Sequence, residues 1–313
     1  MNKNARWAIR AIQAAILATV LLTPAALATR TPKGYAVWLY LTGRAGDCGF
    51  FESLEAAELT MQQIAAAARI GKSTKLIAED PAGFSLWDTP RGHFWMPNGN
   101  RSALEYNLAE QERAIYGGPD RGARTGDIVL DCGANVGVYT KKALASGAEL
   151  VVAIEPSPEN LECLRRNLAV EIASRKVIIV EKGVWDKDDV LTLHSNPHNS
   201  GAHSLHPLEG FDIKQVQVPL TTIDKLVTDL GLPRVDFIKM DIEGAEKQAI
   251  LGARETIKEF KPRMAICTYH LPEDPTEIPK TVLSIVPSYA VKMQWLLASE
   301  KIFPEVAHFA SAQ

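Results

Sequence analysis

Residues 128–140, Ile-Val-Leu-Asp-Cys-Gly-Ala-Asn-Val-Gly-Val-Tyr-Thr, constrain the fold of this chain more than any other stretch. The apolar run Ile128-Val129-Leu130 reads as a strand buried on both faces. The chain then turns through Asp131, Gly133, Ala134, Asn135 and Gly137. From there Val136, Tyr139 and Ala143 recur at helical spacing. Strand, glycine turn and helix make the unit that binds nucleotide-like cofactors, because glycine lets a backbone come close and a helix start leaves N–H groups free.

The details of the turn narrow the ligand. Diphosphate cofactors take G-x-G-x-x-G, whereas this chain has D-C-G-A-N-V-G, with an Asp at the strand end and Ala in place of one glycine. A carboxylate there repels a diphosphate and attracts an ammonium or sulfonium group. The residues therefore point to S-adenosylmethionine rather than NAD.

From residue 127 onward strands alternate with helices. Strands are expected at 128–130, 149–154, 177–180, 235–240 and 264–268. Helices are expected at 136–146, 158–170, 222–230, 244–253 and 277–285. This rhythm implies right-handed crossovers and a mostly parallel sheet with helices on both faces. Residues 190–194 and 216–220 read as paired extra strands, and 294–297 with 306–310 as a final antiparallel edge hairpin. Upstream, residues 52–70 and 100–116 read as helices around three short strands, 75–78, 83–87 and 93–96, separated by Pro/Gly turns. Residues 35–49 read as a connector or lid. The expected organisation is a leader at 1–28, an α+β appendage at 29–120, and a catalytic domain at 121–313.

Four further signals carry chemistry. Glu155 closes the second core strand before Pro156, where an acidic side chain accepts ribose hydroxyls. Gly183-Val184-Trp185-Asp186 follows the third strand, where an apolar wall and one acceptor suit adenine. Ile238-Lys239-Met240-Asp241-Ile242-Glu243-Gly244-Ala245-Glu246 places three carboxylates at the crevice end of a buried strand. Asp241 is best placed to face the reacting centre, while Glu243 and Glu246 also suit a helix start. His270, closing Cys267-Thr-Tyr-His, is the second choice for a base after Asp241. The polar loop 194–207, with four histidines, reads as a cover over an acceptor pocket. Neither its spacing nor that of Cys48, Cys132, Cys163 and Cys267 matches a metal site, so none is expected.

Taken together, V-L-D-C-G-A-N-V-G, A-I-E-P-S-P-E-N and F-I-K-M-D-I-E-G-A-E resemble the FkbM family of methyltransferases in order and spacing, over residues 126–269. The resemblance implies a class I methyltransferase-like, Rossmann-like α/β fold that O-methylates hydroxyls of sugars or secondary metabolites. By position it implies that Asp131, Gly133, Ala134, Asn135 and Gly137 line the methionine end of S-adenosylmethionine. Glu155 would hold the ribose, and Asp241 would face the methyl group or the acceptor. Two other readings stand beside it: an NAD-linked sugar oxidoreductase, opposed by the missing glycine motif, and a catalytically silent exported module with the same fold.

The silent-module reading arises from the N-terminus. Lys3, Arg6 and Arg10 precede an apolar run and Ala26-Leu27-Ala28, the grammar of a signal peptide or uncleaved anchor. Membrane association through residues 7–28, or export, is the expectation. A net charge of −3, with the few clustered Lys and Arg residues reading as solvated helix faces, argues against a nucleic-acid partner.

Overall fold

The computed structural model describes residues 30–195, 213–298 and 301–311. They form two compact units. One takes in the described residues up to Gln62 with Trp295–Phe303, and the other Gln63–Gln294 with the described residues from Pro304.

In the first unit, α1 (Pro32–Leu41) starts on Thr31, whose side chain accepts from the Gly34 N–H at 3.1 Å, with Pro32 at the first helical position. Residues 35–41, expected as a connector, are therefore helical, and Thr31-Pro32 is the start signal. α2 (Phe50–Ser73) follows, its residues up to Gln62 belonging to this unit and those from Gln63 to the second. Ala36, Leu39, Ala56 and Ala57 pack with Leu297 and Ile302 to form the core of this unit.

The second unit opens with an antiparallel sheet of β1 (Lys75–Asp80), β2 (Phe84–Thr89) and β3 (Gly92–Pro97), then α3 (Arg101–Glu112). Its main sheet uses β4 (Ile128–Cys132), β5 (Leu150–Ile154), β6 (Val177–Val180), β10 (Phe237–Met240), β11 (Arg263–Cys267), β12 (Tyr289–Ala298) and β13 (Lys301–Ser311), the described residues of Trp295–Phe303 in the last two strands being counted with the first unit. The strand order is β12-β13-β11-β10-β4-β5-β6. The five strands from β11 to β6 are parallel, and β13 runs antiparallel against β11. This is the expected Rossmann-like sheet with an antiparallel edge hairpin, although the hairpin is longer than its apolar segments suggested. Between β6 and β10, β7 (Gly183–Val184), β8 (Asp189–Ser195) and β9 (Lys214–Thr221) make a separate small sheet.

The helices of the core are α4 (Val138–Ala145), α5 (Pro158–Asn167), α6 (Ala169–Ala173), α7 (Ile223–Asp229), α8 (Glu246–Leu251), α9 (Arg254–Phe260) and α10 (Asp274–Ile285). The single helix expected over 158–170 is broken between α5 and α6 at Leu168, and α9 was not foreseen. All five residues of β4 are buried. Alternation sends Leu130 and Cys132 into one apolar cluster and Val129 into the other, on the opposite face. Chain order reverses at β4: β5 and β6 lie on one side, β10 and β11 on the other. Such a reversal opens a crevice beyond the carboxyl ends of the strands, here those of β4 and β10.

The expected membrane-associated or exported location is corrected. Among the described residues no helix is long and apolar enough to cross a membrane, and residues 7–28, which carried that expectation, lie outside the described residues. Also outside them are His198, His203 and His206 of the polar loop.

His308, on β13 opposite Ala265, is 4% exposed, and its Nδ1 has no hydrogen-bond partner among the described residues. Burial, with help from Arg121 and Lys292, lowers its pKa to about 4. The unfolded chain binds a proton there below about pH 6.5, and the folded chain does not until about pH 4. Stability is therefore expected to fall as pH drops through that interval, by on the order of 3 kcal/mol at its acid end. Denaturant melts at several pH values should show a shallower acid loss for His308→Phe than for the unsubstituted protein.

Candidate active site

The floor of the crevice is a buried ion pair. Asp131 and Lys239 are register partners on β4 and β10, with Lys239 Nζ 3.2 Å from Asp131 Oδ1 and both side chains at most 4% exposed. The ammonium also donates to the carbonyls of Cys132 at 3.1 Å and Gly133 at 2.6 Å. Thr140 donates its hydroxyl to the other Asp131 oxygen at 2.6 Å, which ties α4 to the strand. Burial pushes the Lys239 pKa down, but Asp131 and Asp241 outweigh it and keep the ammonium charged.

The glycine turn sits on this floor. Gly133 has φ +77°, and a Cβ there would lie 2.0 Å from the Asp241 carbonyl oxygen, so only glycine lets the ends of β4 and β10 meet. Gly137, φ +91°, allows the start of α4 to pack against Leu164 and Leu168. Close approach within the chain thus accounts for both glycines. Ala134 is buried, and Asn135 adopts a left-handed conformation with φ 51°. The Asn135 N–H donates to Glu155 Oε2 at 2.9 Å. Glu155, 5% exposed, also accepts from the Ser157 N–H at 2.9 Å. Burial raises its pKa against these hydrogen bonds. Pro156 is half-buried beside it.

Across the crevice, the end of β10 carries a second cluster. Asp241 Oδ2 accepts the Tyr116 hydroxyl at 2.6 Å. His270 Nε2 lies 3.4 Å from Asp241 Oδ1 and 3.6 Å from Glu243 Oε1, and its Nδ1 is 2.9 Å from Glu246 Oε1. Glu246 is fully buried and also accepts the N–H groups of Ile242 at 2.9 Å and Gly244 at 3.0 Å. Burial alone would raise the Asp241 pKa, but His270, Lys239 and Tyr116 hold it well below the usual carboxylate range. Burial would likewise neutralise His270, but Glu246 and Asp241 raise its pKa well above 6.5, so the ring is an imidazolium at neutral pH. Burial pushes Glu243 up to about 8, with Asp241 and Glu246 adding to it against His270.

The structure therefore brings Asp131, Gly133, Ala134, Asn135, Gly137 and Glu155 to one side of the crevice, and Asp241 and His270 to the other. Val184 is elsewhere, buried in the apolar cluster with Ile154 and Met240, and Asp186 is exposed beyond it. Three participants fell outside the expected set. Tyr116 precedes the Gly-Gly-Pro linker and carries no local signal. Glu243 sits at φ 54°, an uncommon conformation for a non-glycine residue. Glu246, readable as a helix-start acid, does that job through two backbone N–H groups and orients His270 as well. Nearby, Glu110 is 8% exposed, and burial together with Asp241 raises its pKa well above the usual range. Tyr269 packs its ring 4.2 Å from that of His270 while staying 41% exposed.

Comparison with known proteins places this arrangement. A family model described as the methyltransferase FkbM domain matches residues 131–290. A methyltransferase from Sordaria araneosa, sdnD, is 27% identical over 174 residues, covering 45% of this chain and 66% of the relative. The hexuronic acid methyltransferase AglP of Haloferax volcanii is 24% identical over 159 residues, covering 50% of this chain and 62% of that protein. The match thus spans less than two thirds of either relative. The ribosomal RNA large subunit methyltransferase E of Archaeoglobus fulgidus is 24% identical over 187 residues, covering 58% of this chain and 86% of that protein.

Removing one partner of a buried pair strands the other's charge, at a cost of about 3–5 kcal/mol. Lys239→Met is expected to lose stability of that order by urea denaturation. Lys239→Met combined with Asp131→Asn should recover part of the loss, because no unpaired buried charge then remains.

Proposed function

We propose that this chain, which belongs to the FkbM methyltransferase family, transfers a methyl group from S-adenosylmethionine to a hydroxyl of a sugar or related small metabolite. The sign of the crevice carries this reading. Glu155, Asp241 and Glu246 line the strand ends, and among the described residues the two nearby cations, Lys239 and His270, are already engaged by carboxylates. A diphosphate would meet that charge unpaired, whereas a donor bearing ammonium and sulfonium groups matches it. The turn fits such a donor too, since the first N–H groups of α4 have no acceptor within the helix.

When bound, S-adenosylmethionine supplies an already activated methyl group, so the protein need only align an oxygen and manage one proton. Asp131, acting through the turn it braces, and Gly133, Ala134, Asn135 and Gly137 would hold the amino-acid end. Glu155, beside Pro156, would take the ribose. Asp186 is the side chain we assign to the adenine side, with Val184 packed in the core two residues before it. Asp241, ionised at the end of β10, orients the acceptor hydroxyl and receives its proton, and the exposed face of Tyr269 offers a surface on which a sugar ring stacks. Hexuronic acid methylation in a relative supports a sugar acceptor. Methylation of ribosomal RNA by another relative offers a second acceptor class, but the acidic crevice opposes a phosphate backbone.

Calorimetry on the full chain with S-adenosylhomocysteine and with NADH tests the donor. We expect binding of the first alone, weakened about 10-fold or more by Glu155→Ala through lost charged hydrogen bonds. In a methyl-transfer assay against hexuronic acids, neutral sugars and RNA, Asp241→Asn should lower turnover by about 10²–10⁴-fold. Binding of NADH instead, or donor binding without transfer to any hydroxyl, would overturn the proposal in favour of an oxidoreductase or a silent module respectively.

A further inference from the structure

Donor geometry beside the acceptor position is the feature that the methyl-transfer reading leaves unexplained. His270 is a polar side chain only 6% exposed, and among the described residues its Nε2 makes no hydrogen bond. It is aimed between two carboxylate oxygens, Asp241 Oδ1 at 3.4 Å and Glu243 Oε1 at 3.6 Å. All three donor atoms lie within 4.8 Å of one another. Ligands held about 2.1 Å from a four-coordinate ion stand about 3.4 Å apart, the spacing seen here.

The outer contacts of these three side chains also suit a metal. The other ring nitrogen of His270 is bound to Glu246, the carboxylate–histidine arrangement that orients a metal-bound imidazole. Glu246 is in turn fixed by the N–H groups of Ile242 and Gly244. The second oxygen of Asp241 is held by Tyr116. Glu243 reaches its position through a backbone at φ 54°, a local strain of the kind that persists where the surroundings fix it for function.

We infer that Asp241, Glu243 and His270 form a binding site for a divalent cation, with at least one coordination position left open toward the crevice. The mixed donor set of one imidazole and two carboxylates favours Mn²⁺ or Zn²⁺ over Mg²⁺. A cation seated there takes the place of a proton on Nε2 and joins the two carboxylates. Its open position would receive and polarise a hydroxyl. That last role rests on the methyl-transfer reading, whereas the cation site itself does not.

Full-length protein stripped with a chelator would be titrated calorimetrically with MnCl2, ZnCl2 and MgCl2 separately, and Co²⁺ would serve as a visible absorption probe. We expect one site for Mn²⁺ or Zn²⁺ and a Co²⁺ spectrum that changes on loss of the imidazole. His270→Gln and Glu243→Gln should each abolish binding. Glu246→Gln, which alters a positioning residue, should weaken it about 10–100-fold and shift the Co²⁺ bands, with Glu246→Asp restoring part of both. Circular dichroism melts on each variant exclude loss of fold as the cause. No heat with any of the cations, or binding unchanged in His270→Gln and Glu243→Gln, would overturn the site. Cation binding without methyl transfer would leave the site standing and remove the reading of function. Methyl transfer unaffected by the chelator, with no cation bound, would do the reverse.

Discussion

The contact between Asp131 and Lys239 is the constraint on which the crevice depends. The two residues are opposite each other on parallel strands, in a sheet whose remaining β4 and β10 residues are apolar and could pair in more than one register. A buried carboxylate and ammonium tolerate only the register that brings them together, because any slip strands both charges in a low-dielectric interior. The ammonium is ion-paired with Asp131 and donates to the carbonyls of Cys132 and Gly133. Turning those carbonyls inward fixes the orientation of the glycine turn above them, and Thr140 on the second Asp131 oxygen fixes the start of α4. One pair therefore sets register, turn and helix together.

This explains why the fold was legible from residues 128–140 while part of the site was not. Strand, turn and helix are each written locally, in Ile128-Val129-Leu130, in two glycines and in the spacing of Val136, Tyr139 and Ala143. The partner of Asp131 is 108 residues away in sequence, and nothing local marks Lys239 as the cation that turns that carboxylate inward. Asp131 looked like a ligand for the amino group of a cofactor, and the same residue, 0% exposed, braces the turn from beneath. Reading Gly133 as room for a ligand was equally local. The close approach it permits is to the Asp241 carbonyl, an encounter created by the sheet.

A related argument separates the two halves of the crevice. Motif reasoning placed Asp241 and His270 near the reacting centre but treated each as an independent base. In the folded chain they share charge with Glu243 and Glu246, and Tyr116 arrives from before the linker to hold the outer oxygen of Asp241. No spacing rule joins residues 116, 241 and 270. The end of β10, the end of β11 and the segment after α3 meet only because β10 lies beside β11 in the parallel sheet. Helix starts also misled by being half right, since Glu246 does cap the turn into α8 and orients an imidazole with the same carboxylate.

Carboxylates dominate the crevice, and that excess bears on both ligands inferred for it. A buried group of like charges is costly unless a cation enters, and here the resident cations are occupied by structural tasks: Lys239 by Asp131 and the turn, His270 by Glu246. An arriving cation is matched to the site before any shape is considered, whether it is the sulfonium and ammonium of a methyl donor on the β4 side or a metal ion on the β10 side. The two are not redundant, because the turn and Glu155 follow β4 and β5, whereas Asp241 and Glu243 follow β10 and His270 follows β11. Placing positive charge on both sides of an acceptor hydroxyl would favour its oxygen in anionic form, which is the state that attacks a methyl group. The acidic crevice is thus consistent with nucleophile formation, even though its own carboxylates would repel an alkoxide if they stood alone.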